Sequence, residues 1–160
     1  MSTSEEIKRA AIMAADQVFR WFARAMRYIL DKYGEEALKG LEEEFRKMGR
    51  EIAPRVAQAF KIEERDATAM TKVIDLTDDS IGIEGEWEEF SPARAVKIEK
   101  KCPVARAIRR APEICTNLFA AYITGLYEGL GVNAKCSIPK AIARGDPVCE
   151  IIIEMQEEEE

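Results

Sequence analysis

The chain has 160 residues, 47% of them hydrophobic and 34% charged, which is enough material for one sizeable core. No apolar run approaches the ~20 residues of a membrane span, and the opening MSTSEEIKRA carries no basic-then-apolar leader. A net charge of −6 without a basic, aromatic-studded face argues against nucleic acid, and the absence of histidine excludes Ser-His-Asp and Cys-His catalysis and every His-ligated metal. The expectation is a soluble, cytoplasmic globular chain. Its excess of Glu, Lys and Arg over Asn and Gln is a compositional mark of a thermophile.

The first half reads as helices. Ile7, Ala11, Ala14, Val18, Phe22, Met26, Ile29 and Tyr33 recur at three- and four-residue steps, giving a long helix over about 5–33 with Ser4 as its cap and Gly34 as a stop or sharp bend. A second helix follows at about 35–48, and Pro54 suits the first turn of a third at about 52–60. Asp66 caps a fourth over about 66–75. The period then changes. Thr77-Asp78-Asp79-Ser80 is turn-like, and Ile81, Ile83, Gly85 and Trp87 alternate with polar residues as a half-buried strand exposing Glu84, Glu86, Glu88 and Glu89. Residues 93–100 form a second strand, with Ala95 and either Val96 or Ile98 facing inward. Pro103 and Pro112 open a short and a longer helix, and strands follow at 132–138 and 148–155, the last central in its sheet or covered on both faces. The order is α+β: N-terminal helices, then a ββααββ unit with an antiparallel sheet. The expected organisation is a single domain over 1–156, with 1–76 as a helical lead-in, 77–156 as the cysteine-bearing part and 157–160 as an acidic tail.

The concentrated chemistry is in four cysteines, Cys102, Cys115, Cys136 and Cys149, all in the last 60 residues. Without a secretory leader a disulfide framework is not the default, although hyperthermophiles keep intracellular disulfides. Cys102 precedes a helix and Cys115 falls in the first turn of the next, where a helix dipole lowers a thiol pKa; both are candidate nucleophiles. All four are candidate zinc ligands, although no C-x-x-C spacing is present and a small buried thiol is ordinary core material. Glu150 is a poor companion ligand to Cys149, because neighbours on a strand point to opposite faces. The aromatics Phe19, Trp21, Phe22, Tyr28 and Tyr33 either line a ligand cavity or pack a core. Tyr122 is a candidate proton donor.

The stretch Val96-Lys97-Ile98-Glu99-Lys100-Lys101-Cys102-Pro103, then Glu113-Ile114-Cys115, then Ala143-Arg144-Gly145-Asp146-Pro147-Val148-Cys149-Glu150, resembles the L-2-amino-thiazoline-4-carboxylic acid hydrolase family. Trp21 with Tyr33-Gly34-Glu35-Glu36-Ala37 resembles that family's helical lead-in. The carboxyl half is also similar to vinyl-reductase-type small-molecule-binding domains, a group that includes aromatic-effector sensors with a Cys-rich zinc site. The resemblance implies roles for Cys102, Cys115 and Cys149, with Gly145 and Asp146 in the final turn; Cys136 has no clear match. It also implies either of two functions. One is a binding domain holding a small molecule through Trp21, Phe22, Tyr122 and Asp146, with zinc on the cysteines. The other is a hydrolase opening a cyclic amidine with Cys102 or Cys115. A third expectation, from the apolar stripe of the first helix, is a structural homodimer.

Overall fold

The structure, a computed structural model, describes residues 3–157; of the acidic tail, Glu157 is exposed and the remainder lies outside the described residues. Helix α1 runs over Thr3–Phe60 and is broken at Gly34, whose φ of 68° and ψ of −154° belong to a region open essentially to glycine alone. The helix already includes Thr3, so Ser4 is not its cap. The rings of Phe22 and Phe45 stack with centroids 6.0 Å apart, whereas a straight helix would separate them by about 35 Å. Gly34 therefore folds α1 back on itself as a hairpin of two arms. The helices expected at 35–48 and 52–60 are one arm, continuous through Pro54. The lost backbone hydrogen bond at Pro54 is offset by close packing of this arm on a later helix, described below.

Helix α2 occupies Thr71–Ile81, later than the expected 66–75. Asp66 caps a turn instead: its Oδ1 accepts from Thr68 N at 2.8 Å and Thr68 Oγ1 at 2.6 Å. Thr77-Asp78-Asp79-Ser80, expected as a turn, is the end of α2, and Gly82 closes it in the left-handed conformation. The sheet is built from β1 (Glu84–Phe90), β2 (Arg94–Lys101), β3 (Ala134–Lys140) and β4 (Cys149–Met155). Between β2 and β3 lie α3 (Ala105–Ile108), a π-helical turn (Ile114–Phe119) and α4 (Ala120–Gly129). All strand pairs are antiparallel in the order β1-β2-β4-β3, so β4 is central and the fold is α+β. Among the described residues no helix is long and apolar enough to cross a membrane.

One sheet face is covered by helices. On β4 that face carries Cys149, Ile151 and Ile153, paired with Glu99, Lys97 and Ala95 of β2. The inward set on β2 is thus Ala95, Lys97 and Glu99, and the expectation that Val96 or Ile98 faces the helices is corrected. Those two side chains are buried on the opposite face beside Ile152. Ion pairs Lys100–Glu86, Arg94–Glu154 and Lys140–Glu150 surround them, so aliphatic stems of charged residues cover this stripe.

Two apolar clusters form the interior. One lies under the sheet, where Met70, Ile74, Leu126, Tyr127, Ile151 and Ile153 pack with Ala53 of the second arm of α1. Tyr127 is fully buried; its hydroxyl donates to Ala67 O at 2.7 Å and accepts from Met70 N at 3.3 Å, fixing the turn before α2. The other joins Ala23, Met26 and Leu30 of the first arm to Ile108, Ile114 and Leu118. Helix α4 meets the second arm through glycine. A Cβ on Gly49 would collide with Tyr122 O, one on Gly125 with Arg46 O, and one on Gly129 would lie 2.6 Å from Ala53 Cβ. Apart from Ala53 Cβ these contacts are with backbone, Gly129 also meeting Arg50 O, a distance only glycine permits. Glu128 fastens the crossing from outside by pairing with Arg46 and, at 2.9 Å, with Arg50.

Candidate functional site

A cavity of about 330 Å³ opens where the two apolar clusters meet. Each wall follows from the amphipathic pattern of its element. Helix α2 turns Val73 and Ile74 towards it, α4 turns Ile123 and Leu126, and the covered face of the sheet supplies Ile138 and Ile151. The π-helical turn brings Cys115 and Phe119 to the same wall. Such turns insert one residue into a helix and are common where a side chain must be aimed at a site.

The cavity also carries ionisable groups: Asp78 from α2, Glu99 from β2, Cys102 from the end of β2, Cys115 from the π-helical turn and Cys149 from β4. Glu99 is 5% exposed and Lys97, two residues earlier on the same face, 2%. The Lys97 ammonium bonds Asp75 Oδ1 at 2.6 Å and Asp78 Oδ2, and stands 5.5 Å from the Trp87 ring centroid. Trp87 Nε1 in turn donates to Asp75 at 3.0 Å. Burial works against the Lys97 charge, but the two aspartates outweigh it and hold its pKa up. Asp78 moves up as well, because burial exceeds the help from Lys97. Glu99 has Asp78 and Cys149 as hydrogen-bond neighbours, and burial, followed by the Asp78 charge, pushes its carboxyl to about 7.

The thiols behave differently from the expectation at helix starts. Burial pushes Cys102 up to about 11, against the backbone N–H groups of Val104 and Ala105. It pushes Cys149 up to about 12 against Ile142 N–H, and raises Cys115 further still, with the neighbouring thiols and Glu99 adding to the effect. Helix α3 spans only Ala105–Ile108, and the dipole of four residues does not offset the loss of water. A rise from 9.0 to about 11 leaves Cys102 with about a hundredfold less thiolate than a free thiol at neutral pH. Iodoacetamide labelling near neutral pH, followed by mass spectrometry, should therefore find all three thiols tens of times slower than in the denatured chain. One rapidly labelled thiol would contradict this electrostatic account and mark a nucleophile.

The structure brings together three of the four cysteines. Cys136 pairs with Ile153 on β3, four residues along β4 from Cys149, a separation of about 13 Å. Its N–H donates to Thr124 Oγ1 at 3.0 Å, and it borders a separate polar groove with Lys135 and Glu128. A four-cysteine zinc centre is therefore not assembled. Among the described residues, no group of three or more Cys, Asp or Glu side chains has the geometry to hold a metal ion. Of the other expected ligand-binding residues, Tyr122 lines the cavity. Trp21 is 63% exposed on the outer side of α1, and Phe22 is committed to the Phe45 stack. Asp146 holds its own turn, accepting from Ala141 N at 2.8 Å and Arg144 Nε at 3.0 Å. Phe19 reaches the cavity and meets Phe119 edge-on at 5.8 Å. Sequence reasoning misses Lys97, Glu99, Asp75 and Asp78 as site residues; their only signal is that Lys97 and Glu99 alternate with Ala95 on one strand face.

No protein-family model and no curated protein matches the chain. Several solved structures share its fold, and two illustrate the likeness. A trafficking protein particle complex subunit 3 from Naegleria fowleri, covalently bound to palmitic acid, superposes with a TM-score of 0.67 at 17% identity, covering 91% of this chain and 96% of its own. The phenol-responsive sensory domain of the transcription activator PoxR, with phenol, gives 0.62 at 13% identity, covering 86% and 74%. At these identities the likeness is one of fold. The thiazoline hydrolase resemblance gains no family-level support.

Proposed function

We propose that the chain is a small-molecule-binding domain whose ligand is of single-ring size and sits in the cavity between α2, α4 and the sheet. The observation that carries this reading is the cavity itself: an apolar hollow inside the protein, with a buried carboxyl on its wall and three thiols beside it. Ligand sites of small domains have this character, mostly apolar with a few placed polar groups. Its volume of about 330 Å³ lies at the small end of the range of small-molecule sites. A phenol-sized ring fits. A ligand of that size is the one the phenol-responsive domain is solved with.

Heterocycle hydrolysis would use the same cavity, but it needs a thiolate or a metal-activated water. Burial holds the thiols protonated, and no metal-holding group forms among the described residues. Binding is what this geometry supports best.

Ile123 is half-buried on a cavity wall, so Ile123→Trp should fill the space, with circular dichroism checking that the variant folds. Calorimetric titration with phenol is expected to show saturable binding to the natural chain and none to Ile123→Trp. Palmitate binding in place of phenol would overturn the single-ring reading.

A further inference from the structure

The cavity wall is acidic on its ionisable side and has no cation to match. Asp78 and Glu99 both line it, and none of its described lining residues is Lys or Arg. The nearest cation, Lys97, lies behind the wall and is fully engaged by Asp75, Asp78 and the Trp87 ring. Asp75 is about half exposed and shares its charge with water. Glu99, by contrast, is 5% exposed and has no ion-pair partner among the described residues; its hydrogen-bonding neighbours are another carboxyl and a thiol. A buried carboxyl without a cation is costly, and natural cavities resolve this with a proton or with the charge of a ligand.

We infer that the ligand is an amine: a single-ring or similarly compact molecule whose ammonium or amidinium group bonds Glu99 and Asp78 while its apolar body fills the space between α2 and α4. This deepens the binding reading above and rests on it. Three features of the wall bear on the choice. An ammonium supplies the donors that two carboxylates can accept, in charge-assisted bonds strengthened by burial. Phe119 and Tyr122 present aromatic surface, which accepts both a ring and a cation. An anionic ligand would meet two carboxyls whose nearby cation, Lys97, is already taken up by Asp75 and Asp78, so the same wall disfavours carboxylates such as fatty acids and thiazoline carboxylates.

Three probes of nearly equal size separate the charge from the shape: benzylamine, benzyl alcohol and benzoate, titrated calorimetrically at about pH 8, where the amine is protonated. Benzylamine should bind at least about tenfold more tightly than benzyl alcohol, and benzoate should give no heat of binding. Glu99→Gln, of equal shape and no charge, should bring benzylamine down to the level of the alcohol. Asp78→Asn provides a second neutral variant should Glu99→Gln fold poorly. If the alcohol binds as tightly as the amine, or benzoate binds best, the amine inference is overturned and the cavity reading stands. If none of the three binds although phenol does, the amine inference alone falls; if phenol fails as well, both fall.

Discussion

Gly125→Val is expected to remove about 3 kcal/mol or more of folding stability, a fall of about 10 °C in Tm for a domain of this size. The side chain would start inside van der Waals contact of the Arg46 carbonyl oxygen, with Arg46 C and Cα also in the way. Both partners are helix backbone, so no flexible side chain can swing aside. Relief requires α4 and the second arm of α1 to separate. That movement breaks the Gly49 and Gly129 contacts and the Glu128 ion pairs to Arg46 and Arg50, and it also disturbs the cavity wall made by Tyr122, Ile123 and Leu126. Gly40 is the internal control. It lies in the same arm, and a Cβ added there would meet only open space, so Gly40→Ala should stabilise by about 0.8–1 kcal/mol through helix propensity alone. A Tm for Gly125→Val equal to that of the natural chain, measured by calorimetry, would refute the backbone contact.

Lys97→Met should cost about 3–5 kcal/mol near neutral pH, since it leaves Asp78 and Glu99 buried without their only nearby cation. The pH dependence identifies the cause. Glu99 in the folded chain titrates near 7 against an ordinary 4.5, so the folded state binds its proton more tightly than the unfolded state. The Glu99 contribution is therefore fully present below the ordinary carboxyl pKa and is lost as pH rises through about 7. Asp78 shifts in the same direction. Without Lys97 both carboxyls should hold protons more strongly, so the variant should recover part of its stability at about pH 5. Urea unfolding at acid and neutral pH reads this directly. An equal loss at both would assign the effect to packing. Asp78→Asn in the Lys97→Met background should restore stability, by the coupling expected of groups in contact.

Periodicity reveals the elements whose burial is one-sided. The ββααββ order, the antiparallel sheet and the central place of β4 follow from alternation, Pro and Gly positions and the Ile151-Ile152-Ile153 run. Pro54 misleads because its cost inside a helix is local, whereas the glycine-tight packing that sustains the helix comes from a segment about seventy residues away. The seam has a visible trace in Gly125-x-x-x-Gly129 facing Gly49-x-x-x-Ala53, two small-residue steps of helical spacing. On β2 the two faces compete: hydrophobicity favours Val96 and Ile98 inward, but the partner helix offers Asp75 and Asp78, which draw Lys97 in. One strand's pattern holds no information about the charges opposite it. Cys102, Cys115 and Cys149, which the family resemblance sets apart from Cys136, do meet at the cavity, while Cys136 belongs to the core under the sheet. Their ionisation is misjudged from the sequence because helix starts are legible there and depth of burial is not.

The hollow lies at the junction of the two apolar clusters, and this bears on how cooperatively the molecule holds together. Side chains facing an empty space forgo dispersion contacts on that side. The first arm of α1 with its partners and the sheet-bound half both supply walls of the hollow. A ligand lodged there touches both halves at once and adds stability in proportion to the logarithm of its saturation. Occupancy of a small cavity should thus register as added stability of the whole hairpin-and-sheet assembly.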